Sequence, residues 1–478
     1  MSIVSEVKAP RGRWAELFLT VLAIVISLGA YFLAYTGTGG IGFPSNFPLV
    51  TLIALVVGIG GHLAIRYATP YADPVLFPAA FLLNGLGLAM IYRIQLVPKQ
   101  EPAVKGQLIL SVIGVLLMIA VLFLVRDHRM LRGLTWTSLI AGIILLALPL
   151  IPGLGKEVNG ATIWISIGSF TYQPAELAKI FFAIFFAGYL VAERDNLSLA
   201  GPKILGMHFP KPRHMLPVLL AWLICMALLA LENDYGTALL FFGLFVAMLY
   251  VATERISWIA IGGVLTVLGI SVLVAIRPHI KNRFNAWLHT FDPDVYDAIG
   301  GSYQLVQGLF GMGSGGLFGT GMGQGHPTLS FAANSDYIVA SFAEEIGLTG
   351  LMALLMLYFL IVMSGIRISL NLRDGFGKLL AVGVTFTIAL QCFIVVGGIT
   401  RIIPLTGLAM PFLAHGGSAL LTNWIIIGLL ARMSEAARRP SSSEPILTAE
   451  EYASVPVMEK RSGDGDDTSA TQVMAAQR

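Results

Sequence analysis

Charge is scarce in this sequence. Of 478 residues, 12% are Asp, Glu, Lys or Arg and 56% are hydrophobic, with a mean hydropathy of +0.80. An ordinary soluble domain carries about 25% charged residues, so a water-soluble chain is excluded. Cysteine is nearly absent too. Cys225 and Cys392 both lie in apolar runs far apart, which excludes a disulfide framework and a thiolate metal site. The net charge of +3 is small and the basic residues are scattered over many loops, so nothing supports nucleic-acid binding.

What the sequence has instead is long apolar runs. Spans of roughly 20 residues cross a bilayer, and about twelve can be placed, near 14–36, 47–67, 74–93, 106–125, 134–152, 175–192, 214–232, 236–252, 257–277, 338–364, 377–399 and 409–431. The fold class is therefore all-α, a polytopic membrane helix bundle. Arg66, Arg126, Arg129, Arg132, Arg194, Lys203, Lys211, Arg213, Arg255, Arg367, Arg373 and Lys378 fall in alternate connections, which the positive-inside rule makes cytoplasmic. Both termini are then cytoplasmic, and the two long connections, 153–174 and 277–337, lie outside. Arg93, Lys99 and Lys105 run against this bias locally. The first run follows Lys8, Arg11 and Arg13, but it is too long for a signal peptide and lacks a small-residue cleavage site, so it reads as a retained anchor. Beyond Arg439 the composition turns to Ser, Glu, Asp, Gly and Ala, too polar for a core, and predicts a disordered cytoplasmic tail.

Ionisable groups are costly in a bilayer unless they face a partner or a polar cavity, so their positions are informative. On the outer side they are Glu176 and Lys179, Glu232 and Asp234, Asp292, Asp294 and Asp297, Asp336, Glu344 and Glu345, and Arg401. Glu176 and Lys179 share a helix face. Either they form an internal ion pair, or Lys179 is left for an anionic ligand such as a lipid-linked pyrophosphate. The spacing of Asp292, Asp294 and Asp297 rules out a calcium loop, because Asp297 stands where the loop glycine should be. A lone carboxylate at a membrane surface can take a proton from an attacking hydroxyl once desolvation raises its proton affinity; a loop-capping Asp is the plainer reading. The glycine-dense run 311–325 lacks the Gly-x-x-x-x-Gly-Lys-Ser/Thr pattern and reads as a flexible or tightly packed loop. The stretch His415-Gly-Gly-Ser418 reads as a broken, close-packed helix entry.

In their order, these motifs resemble the SEDS family of peptidoglycan polymerases, the group of RodA, FtsW and SpoVE. The resemblance covers about 74–435. It rests on Gly160-Ala-Thr-Ile-Trp164 through Gln173-Pro174-Ala-Glu176-Leu-Ala-Lys179, Glu232-Asn-Asp234-Tyr-Gly236-Thr237, and Asp297 seven residues before Gln304. It continues in Ser335-Asp336-Tyr337, Glu344-Glu345-Ile-Gly347, Pro404-Leu-Thr-Gly407 and Gly416-Gly417-Ser418. Departures are Thr162, Ala175, Glu232-Asn233, Ala298 and His415. The resemblance implies a ten-helix core over 74–435 with an outer catalytic loop 278–337, preceded by two additional helices in 1–73 and followed by the tail 436–478. It implies polymerisation of lipid II with Asp297 as the catalytic base. The implied substrate-binding residues are Trp164, Glu176, Lys179, Asp234, Gln304, Asp336, Glu345, Arg401 and Ser418, with Lys179 and Arg401 facing the leaving pyrophosphate. It also implies a class B penicillin-binding protein, a transpeptidase, as partner, and leans toward elongation rather than division. No cofactor is implied, though a divalent cation, Mg or Mn, bridging pyrophosphate and carboxylate stays open. Two alternatives remain beside the polymerase: a lipid II flippase, which fits the spans and charges but needs no Asp297, and a non-catalytic scaffold, which leaves the outer acids unexplained.

Overall fold

The computed structural model describes residues 13–97, 103–158, 160–168, 170–194, 203–204, 207–208, 212–298, 300–329 and 332–440. The expected tail, beyond its first residues, and Lys8, Arg11, Lys99 and Lys211 lie outside the described residues. All the elements below belong to one compact unit, Met1–Arg439.

The chain is built of helices: α1 Trp14–Gly37, α2 Phe47–Ala68, α3 Leu76–Gln95, α4 Val104–Leu124, α5 Thr135–Ala147, α6 Pro174–Ala192, α7 Pro212–Glu232, α8 Tyr235–Thr253, α9 Ser257–Ile276, α10 Pro278–Leu288, α11 Pro293–Tyr296, α12 Tyr303–Gly315, α13 Ile338–Asn371, α14 Gly375–Ile399 and α15 Gly417–Arg438. Among the described residues eleven helical stretches are long and apolar enough to cross a membrane, and α7 adds a shorter apolar stretch, Leu216–Glu232. The chain is a multi-pass membrane protein.

Local chemistry sets the helix ends. Pro174 opens α6 after Gln173 in extended geometry, where a missing N–H costs nothing. Asp374 caps α14, accepting from the Gly377 N–H at 2.7 Å. Helices α3, α6 and α15 are buried along most of their length, whereas in α9 only Trp258 and Gly262 are buried. Lipid tails are as apolar as Leu, so close approach rather than water exclusion holds such a bundle. Gly114 illustrates it: a Cβ there would stand 2.3 Å from the Trp424 ring, and the Trp424 indole N–H donates to Asn84 Oδ1 at 3.3 Å.

The first two helices are locked to the rest at one end. Arg13 bonds Glu16 and donates to the carbonyls of Thr69, Pro70 and Ala72 at 3.2, 2.9 and 2.9 Å, while Glu16 meets His62 Nδ1 at 2.8 Å. At the opposite end, which carries the long loops, Gly37 packs on Met322 and Gly323.

Three expectations are corrected. The last span does not begin at 409: residues 409–416 are irregular, with Phe412 at φ 64°, and α15 starts at Gly417. That segment is apolar because it is buried in protein, not because it is helical. The same helix runs to Arg438, past the expected span end at 431; Tyr71 N–H donates to Glu435 at 2.6 Å and Arg438 pairs with Asp73 at 2.5 Å. Finally, the connection after α5 is not plain loop. It forms a three-stranded antiparallel sheet of β1 Gly155–Val158, β2 Ala161–Ile167 and β3 Phe170–Tyr172, with Lys156 opposite Trp164. A further two-stranded ribbon pairs β4 Lys203–Ile204 with β5 Met207–His208.

Candidate active site

At the long-loop end, four connections meet: the sheet, the α7–α8 link, loop 277–337 and segment 400–416. Gln173 is the pivot. Its backbone N–H donates to Ser418 Oγ at 2.8 Å and its side-chain amide donates to Asp234 Oδ2 at 3.1 Å. Asp234 caps α8, accepting from the Thr237 N–H at 3.0 Å. Burial raises its carboxyl above the ordinary Asp range, the Thr237 bonds pull it back, and the Glu176 charge adds to the rise. Asn233, at φ 61°, donates to the Gly160 carbonyl at 3.0 Å and so ties the link to the hairpin. Glu232 is 1% exposed, and neither carboxylate oxygen has a hydrogen-bond partner among the described residues.

Glu176 and Lys179 form the internal pair, with Nζ to Oε2 at 2.6 Å. Lys179 is 2% exposed and also donates to Gln391 Oε1 at 2.9 Å, while the Gln391 amide donates to Ala409 O at 2.8 Å. The ammonium is therefore occupied inside the protein rather than presented at the surface, and the ion-pair reading is the one the geometry fits.

The cation that does stand among the acids is Arg283, on α10. It donates to the carbonyls of Leu405 and Thr406 at 3.3 and 3.1 Å. Burial lowers its guanidinium from the ordinary range, opposed by the charges of Asp336 and Asp234. Burial likewise raises the Asp336 carboxyl, and Arg283 lowers it. Gly407, at φ 81°, leaves this space open: a Cβ there would lie 3.9 Å from Asp336 Oδ2 and 4.0 Å from Arg283 Nη2. Arg283 had no place among the expected site residues, because the carbonyls it bonds lie more than a hundred residues away, the acids it stands among are also distant in sequence, and nothing local marks it.

Asp297 ends α11 and is exposed, so the desolvated setting expected for it is absent from the free chain. Its turn is nonetheless firmly built. The Gly301 N–H donates to Ala298 O at 2.9 Å, the Ser302 N–H to Val295 O at 3.1 Å, and Ser302 Oγ donates to Thr290 O at 2.6 Å. A Cβ on Gly301 would stand 1.9 Å from Val295 O, so this turn requires glycine. Gln304 lies in the first turn of α12, half-buried. Trp164 is half-buried on β2.

Two further expected binding residues, Arg401 and Glu345, make their polar contacts within the protein. Arg401, at φ 60°, donates to the carbonyls of Trp287 and Leu288 at 2.9 and 3.0 Å and accepts at its own carbonyl from Trp287 Nε1 at 3.0 Å, which clamps the end of α10. Glu345 is 1% exposed, paired with Arg93 at 2.8 Å and accepting from the Gly323 N–H at 2.9 Å. Arg93 further donates to Gly325 O at 2.7 Å, and Glu344 accepts from the His326 N–H at 2.6 Å. The glycine-dense run is thus helical up to Gly315, the end of α12, and only beyond it a tightly packed loop wrapped on two acids. Helix α13 breaks there at Gly347, φ 70°, where a Cβ would meet the Gly319 N at 2.2 Å.

Among the described residues no group of three or more His, Cys, Asp or Glu side chains is arranged to hold a metal ion.

The sequence model of the cell cycle protein family FtsW/RodA/SpoVE matches residues 74–439. The peptidoglycan glycosyltransferase RodA of Mycobacterium tuberculosis H37Rv is 43% identical over 443 residues, covering 91% of this chain and 93% of that one. Stage V sporulation protein E of Bacillus subtilis is 31% identical, covering 77% and 98%. Among solved structures, a chain of a peptidoglycan synthase complex that coordinates polymerisation and crosslinking superposes with a TM-score of 0.62 at 22% identity, covering 77% of this chain and 99% of that one. The rod shape determining protein RodA of Thermus thermophilus superposes at 0.53 and 24% identity, covering 77% and 98%. This chain belongs to the FtsW/RodA/SpoVE family, the SEDS proteins.

Proposed function

We propose that this chain, a peptidoglycan glycosyltransferase of cell-wall synthesis, polymerises lipid II into glycan strands at the outer face of the cytoplasmic membrane and releases undecaprenyl pyrophosphate. One observation carries the reading: a single loop holds Asp297 exposed on a braced turn and sends Arg283 in among Asp234 and Asp336.

In this reading Asp297 takes the proton of the acceptor's sugar hydroxyl. The oxygen attacks the anomeric carbon of the growing chain, and the bond from that carbon to the pyrophosphate oxygen breaks with its electron pair leaving on the pyrophosphate. Arg283 stabilises that charge, the part expected of Lys179 and Arg401, whose donors are used within the protein. Asp234 and Gln173 hold α6, α8 and α15 in register behind the site, and Ser418 anchors Gln173. Substrate covering Asp297 supplies the desolvation that the free loop lacks. A Mg or Mn ion would have to draw part of its ligand set from the pyrophosphate, and no step above requires one.

The positive-inside rule supports the orientation in this reading, with both termini cytoplasmic: Arg66, Arg126, Arg129, Arg132, Arg367 and Arg373 fall in connections alternate to the long loops. A class B penicillin-binding protein is the partner in this reading, since new strands need crosslinking, and elongation is the setting favoured by the RodA relatives.

The test is incubation of the purified full chain with its cognate transpeptidase and labelled lipid II, with a translocation assay in parallel. Glycan ladders are expected; translocation without ladders would overturn the reading in favour of a flippase.

A further inference from the structure

At the end away from the long loops, α13, the α2–α3 connection and the end of α15 line an open cavity of about 320 Å³ that the proposed reaction does not use. Its lining changes character along α13. Phe359, Leu360 and Met363 give an apolar stretch, with Phe359 53% and Leu360 40% exposed, and Arg367 follows one turn later. At about 1.5 Å of rise per residue, Phe359 and Arg367 stand about 12 Å apart along the helix. Pro74, Val75 and Arg438 face them.

Three charged groups line this space: Asp73, Arg367 and Arg438. Asp73 is buried and fixed, with Oδ2 on Arg438 at 2.5 Å, Oδ1 on the Val75 N–H at 2.9 Å and its own N–H on Ser434 Oγ at 2.9 Å. Asp73 and Arg438 offset one another, so the exposed Arg367 leaves the cavity with one uncompensated positive charge.

We propose that this cavity holds an anionic phospholipid. Its phosphodiester sits between Arg367 and Arg438, and one acyl chain lies along Met363, Leu360 and Phe359. A single negative charge matches the single excess positive one, and the apolar stretch begins where a headgroup ends. A free phosphate would leave that stretch unused, and a zwitterionic lipid would bring no net charge. So placed, the lipid bridges α13 to α15 and to the connection where the first two helices join the matched family region.

The test uses the full chain in detergent with equal amounts of phosphatidylglycerol and phosphatidylcholine of the same acyl chains, scored by native mass spectrometry. Wild type is expected to retain phosphatidylglycerol about fivefold over phosphatidylcholine, the factor one basic residue supplies at a membrane surface. Arg367→Gln is expected to lose that preference with an unchanged melting temperature. Arg373→Gln, exposed outside the cavity, is expected to keep it. Equal retention by wild type, a preference surviving Arg367→Gln, or an equal loss in Arg373→Gln would overturn the proposal. Displacement of the lipid by millimolar inorganic phosphate would also overturn it, showing a simple anion site.

Discussion

Two regions at the same end of the molecule bury acids in an apolar bundle, and they use them in opposite ways. Around Glu344 and Glu345 the carboxylates are engaged by Arg93 and by the backbone N–H groups of Gly323 and His326. Around Asp234 and Asp336 no arginine pairs directly: Asp234 is held by the Thr237 N–H and the Gln173 amide, Arg283 influences both acids through space while its bonds go to carbonyls, and Glu232 has no partner for either oxygen among the described residues. Buried polar groups are normally satisfied, and an exception calls for a reason. The first region is engaged internally; in the proposed reading the second meets the ligand.

The comparison can be broken most forcefully at Arg93. Arg93→Ala strands a buried carboxylate and is expected to cost about 3–5 kcal/mol, read as a large drop in melting temperature and poor recovery of folded protein. Arg283→Gln should do the reverse. Polymerisation is expected to fall roughly 100-fold, the scale of losing one charge-stabilising donor, with only a small change in melting temperature. If Arg283→Gln unfolds the chain and leaves specific activity intact, the two regions are not distinct.

Gly347→Ala sharpens the internally engaged side. The residue must hold φ 70° with its Cβ position against the Gly319 backbone, so a loss of about 1–3 kcal/mol is expected, visible in a thermal melt. The smallest effect concerns pH. Asp336 has a folded-state value above its ordinary 3.8, so the folded protein binds more protons than the unfolded one in the window above 3.8, and wild-type stability falls as pH rises through it. Asp336→Asn removes that dependence. The melting temperature of the variant minus that of wild type should therefore increase with pH across the window, and a flat difference would count against the burial of that carboxyl.

How much of this was legible in the sequence follows from what each signal reports. Apolar runs of bilayer length located the helices because lipid demands both apolarity and internal hydrogen bonding. The same signal misplaced the start of α15, since Met410, Phe412 and Leu413 are apolar for burial in a non-helical segment. The sheet had its own mark, the alternation of Thr162, Trp164 and Ser166 with Ile163, Ile165 and Ile167 after an Asn-Gly pair, which is a hairpin signal. A helical class made it easy to pass over. At the site, the helix-periodic pair Glu176–Lys179 could be read locally, whereas Arg283 and Arg401 exchange roles through contacts across 113 to 123 residues of sequence. Spacing carries no trace of such contacts.

The most direct test of the account is Asp297→Asn in the full chain, with glycan synthesis from labelled lipid II and thermal melting measured on the same preparation. An exposed carboxylate that acts as the base predicts a loss of about 100- to 10,000-fold in strand formation at an unchanged melting temperature. Strand formation within a few fold of wild type, in a protein that melts normally, would contradict it.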